Sequence, residues 1–75
     1  MSADLDAAAA LYDEAAEQLD VAAQHCRTAA QHFRDGIVPR GAAHAWAAYG
    51  HLRHAQKRLD DQAIEHARVS NPRPD

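Results

Sequence analysis

Six histidines, one cysteine and one tryptophan carry most of the chemical potential of this 75-residue chain. His25 and His32 lie seven residues apart, and so do His44 and His51. Seven residues make close to two helical turns, so each pair shares one helix face with its members about 10 Å apart along the axis. Imidazole is the commonest metal ligand and titrates near pH 6.5 when unperturbed. His25, His32, His44 and His51 are therefore the metal or haem candidates. Two imidazoles do not complete a tetrahedral site, but a twofold-related copy would supply two more. The plain alternatives are a pH-responsive interface, or polar flank residues hydrogen-bonded to one another and to water. No Cys-x-x-Cys, His-Glu-x-x-His or Glu-x-x-His spacing occurs. No resident cofactor is expected.

Cys26 falls in an apolar heptad position and is expected to be buried and inert. Catalysis has little to draw on. The only serines, Ser2 and Ser70, are near the ends, and no glycine-rich phosphate loop is present. Asp60, Asp61, Glu14 and Glu17 are expected on helix surfaces, without a cleft to perturb them. The chain is read as non-enzymatic.

Trp46 is the remaining candidate. It lies in the small-residue stretch 42–50, and with Ala43, Ala47, Gly50, Tyr49 and Ile64 it is expected to form an outward interface strip.

The elements that position these residues follow from one rhythm. Leu5, Tyr12, Leu19, Cys26 and Phe33 recur every seven residues, with alanine doublets three and four residues after each of the first four. Four heptads of this kind predict one long helix, about 4–35, with Ser2 as N-cap and Asp4 and Asp6 in the first turn. Gly36 suits the helix end, and Pro39 suits the first turn of a second helix, about 39–69. A turn at 36–38 forces the helices antiparallel. Residues 70–75, with two prolines, read as a disordered tail.

The expected fold is thus all-α: an antiparallel two-helix hairpin, one domain over 1–69, with an alanine-rich seam. In the best-fitting register facing residue numbers sum to 74, pairing Phe33 with Gly41, Cys26 with Ala48 and Leu19 with Ala55. On one flank, at a sum of 76, His25 then faces His51, His32 faces His44 and Gln18 faces Arg58.

Alanine dominates the apolar residues, so the core of a monomer is expected to be marginal and association to be the remedy. The chain is expected to form a homodimeric four-helix bundle or a larger homo-oligomer, and to bind a protein partner. A net charge of −3 gives no case for a general nucleic-acid binder. A weak anionic contact through Arg27, Arg34, Arg40 and Arg53 at the turn end is the third reading. Residues 1–26 carry six acids and no base, whereas 27–58 carry six bases and one acid. No membrane segment is expected, and a lone cysteine gives no sign of an oxidising compartment, so the expected location is cytoplasmic. The chain lacks the Trp-x-Gly turn of secreted WXG-type hairpins, and its residues place it in no family.

Overall fold

The computed structural model describes residues 2–73, with side chains from residue 4 onward. It holds two helices, α1 (Ser2–Arg34) and α2 (Val38–Val69), packed against each other as an antiparallel hairpin of 59 × 26 × 14 Å. Ser2 lies within α1, and its expected capping role rests on a side chain outside those described. No described helix is long and apolar enough to cross a membrane.

Gly36 closes α1, as its spacing requires. Its φ of 74° is the left-handed region that a side chain would strain. Gly36 N–H donates to the Phe33 carbonyl at 3.1 Å and Ile37 N–H to the His32 carbonyl at 2.8 Å. These are the paired bonds of a Schellman motif, which satisfy carbonyls left over at a helix end. Pro39 sits in the first turn of α2, where its missing N–H costs nothing. At the far end Ser70 turns extended and its hydroxyl donates to the His66 carbonyl at 2.6 Å. Of the expected tail, residues 74 and 75 lie outside the described ones.

The seam is made almost wholly of alanine. Ala15, Ala22, Ala29, Ala48, Ala55 and Gly41 are its buried residues, and Ala55 is fully covered. Phe33 lies flat on Gly41, where an added Cβ would meet the ring at 2.9 Å, so the register expected at the turn end is the one observed.

One expectation fails. The large members of the heptad stripe do not fill the seam. Leu19 remains 42% exposed, Leu52 45% and Tyr12 51%, and among the described residues no large side chain is fully buried. The alanines bring the two helices close together, and at close approach a leucine beside the seam has no room to point into it. Such side chains lean out instead, onto one broad side of the hairpin.

Candidate functional site

The heptads sort the side chains onto two opposite sides. Leu11, Gln18, His25 and His32 of α1 flank the seam on one side, meeting His44, His51 and Arg58 of α2. Tyr12, Leu19, Cys26 and Phe33 flank it on the other, beside Ala45, Leu52 and Leu59.

On the polar side the histidines form one continuous stack rather than two separate pairs. The facing rings lie as expected, His25 over His51 and His32 over His44, each with centroids 5.4 Å apart. A third contact joins the pairs: His25 and His44 rings lie 5.2 Å apart, with their Nδ1 atoms 2.9 Å from each other. His51 Nδ1 donates to Gln18 Oε1 at 2.7 Å and ends the stack. Antiparallel pairing makes this possible, because each ring reaches half a heptad along the axis to its diagonal neighbour. The register pairs of the sequence therefore need two corrections. Gln18 bonds His51 instead of Arg58, and Arg58 reaches Glu14 across the helices at 3.2 Å. An exposed pair of that kind contributes about 1 kcal/mol at most. His54 and His66 are exposed and stand apart from the stack.

A hydrogen bond between two Nδ1 atoms needs one nitrogen with a proton and one without. Hydrogen bonds from Arg68 hold the exposed Glu65 carboxyl below its usual range, so whatever stability this contact contributes is lost on acidification, as pH falls below about 4, the usual carboxylate range.

Among the described residues no three His, Cys, Asp or Glu side chains converge as a metal-ligand set. Within the stack, His25 and His44 bring two imidazole nitrogens together at Nδ1.

The apolar side holds an open groove of about 350 Å³, lined by Ala22, Cys26, Ala45, Ala48, Tyr49 and Leu52. Cys26 is thus not buried, as expected from its heptad position, but exposed. The cause is the same close helix approach that turns Leu19 outward. Tyr49, expected in the Trp46 strip, belongs to this groove too. Trp46 packs edge-on against Tyr49 with centroids 6.1 Å apart and stays 74% exposed on the outer surface. Ala43 and Gly50 are exposed near it, Ala47 is half-buried toward the histidine side, and Ile64 is exposed well down the rod. Arg53 closes the aromatic edge, its guanidinium 5.9 Å from the Tyr49 ring centre and 3.4 Å from the Tyr49 hydroxyl.

These features define an all-α helical hairpin with one polar, histidine-lined side and one apolar side. The chain matches no family model, no curated protein and no solved structure.

Proposed function

We propose that this chain is a non-catalytic helical interaction module that self-associates and offers a second surface to a protein partner. The observation that carries this reading is the absence, among the described residues, of any fully buried large side chain. A compact protein of this mass exposes about 4,500 Å². The hairpin exposes 5898 Å². Its radius of gyration is 17.5 Å, where a compact chain of this length has about 11 Å. A single layer of two helices has no interior for leucines, and a second layer creates one. Trp46 borders the groove through Tyr49 without lining it, and its exposed ring is offered to another partner. A cytoplasmic home belongs to the same reading, since Cys26 has no second thiol in the chain.

Sedimentation at micromolar concentration should show a dimer or larger assembly, with a thermal midpoint that rises with protein concentration. A monomer whose midpoint ignores concentration would overturn the proposal.

A second reading has one contact in its favour. The 2.9 Å approach of His25 and His44 Nδ1 places two imidazole nitrogens at one point, which a soft or borderline cation would replace the proton to join. Elemental analysis of the purified chain, and an absorbance scan for haem, test it directly.

A further inference from the structure

The apolar side is built to meet itself. We infer that it is the docking surface for a second copy of this chain, laid antiparallel about a twofold axis passing beside Leu19. This rests on the self-association proposed above and adds the face, the orientation and the register.

Three observations carry it. The first is area. The hairpin exposes roughly 1,400 Å² more than a compact chain of its mass. A standard stable interface covers about 800 Å² per partner, which is less than the excess the whole hairpin exposes. The second is the spacing of the stripe. Leu19 sits near mid-length of α1, with Leu5 and Tyr12 on one side and Cys26 and Phe33 on the other at equal steps of seven. A twofold through Leu19 sets Tyr12 against the partner's Cys26 and Leu5 against the partner's Phe33. Leu52 then meets the partner's Leu59 on α2. Ala9, Ala16, Ala23 and Ala30 run beside the stripe, and their small side chains let α1 lie close over the partner's α1.

The third observation is charge, which chooses the orientation. Residues 1–18 and 56–75, the free-end half, carry nine acids and four bases, a net of −5. Residues 19–55, the turn half, carry two acids and four bases, a net of +2. A parallel dimer stacks −5 on −5. The antiparallel dimer sets −5 against +2 at both ends, and such complementarity steers and orients association.

Cysteine cross-linking decides it. In the antiparallel dimer the two native Cys26 residues stand about 21 Å apart along the axis, the rise of fourteen residues. That is far beyond the 4.4–6.8 Å Cα spacing of a disulfide, about. Under mild oxidation the unaltered chain should stay uncrosslinked. Leu19→Cys in a Cys26→Ser background, and Tyr12→Cys with Cys26 retained, should each give mostly disulfide-linked dimer. The two variants touch different parts of the stripe, and helicity by circular dichroism confirms that each is folded. Cross-linking of native Cys26 would overturn the orientation. Failure of both variants in a protein that still sediments as a dimer would overturn this face while leaving self-association intact. A monomeric wild type would overturn both.

Discussion

Leu19→Ala should weaken the assembled protein by about 2–5 kcal/mol, the usual cost of emptying a leucine site in a core. In the isolated hairpin Leu19 is 42% exposed, so the same change there should cost well under that range. The difference between the two values is the signature of a partner. It should appear as a loss that grows with protein concentration, because only the assembled form buries the side chain. Leu52→Ala, from the other wall of the groove, should behave alike. Two controls frame the result: Glu17→Ala on the outer surface should stay within about 0.5 kcal/mol. Trp46→Ala removes an aromatic edge contact and should cost about 1 kcal/mol. Urea denaturation at two protein concentrations, with sedimentation of each variant, gives all four values. A Leu19→Ala loss that is small and independent of concentration would place that side chain at a free surface.

Ala55→Leu should be nearly as damaging for the opposite reason. Ala55 has no exposed surface and lies in the middle of the seam. A leucine there has nowhere to lean, because the seam is closed on both sides, so the helices must separate. Overpacking of this kind costs about 1–3 kcal/mol, and here it also pulls apart the flanking contacts. The His25–His44 bond at 2.9 Å is the sensitive reporter, since histidine ring signals would shift with any widening. A stable Ala55→Leu protein with unchanged histidine spectra would mean the seam is looser than the alanine packing requires.

Much of the architecture was legible in the residues themselves. The seven-residue repeat specifies long helices, because only a helical face collects positions spaced that way. Gly36 and Pro39 specify where one helix ends and the next begins, since each residue has a backbone preference that acts locally. The pairing of Phe33 with Gly41 follows from size alone: a large ring needs a position without a side chain. Even the levels of the histidine pairs come from this register.

Which part of each heptad becomes the interior was decided only in three dimensions. A repeat of one large and two small residues fits two packings. In one, the large residues fill a wide seam; in the other, the alanines close a narrow one. The second is observed here, and it turns Leu19, Leu52 and Cys26 from core into surface. The same narrowness draws the histidines of the opposite side into one stack, with His25 bonded diagonally to His44. Spacing along the chain cannot register that contact. It depends on how near the two helix axes come, and that distance is set by every alanine of the seam acting together.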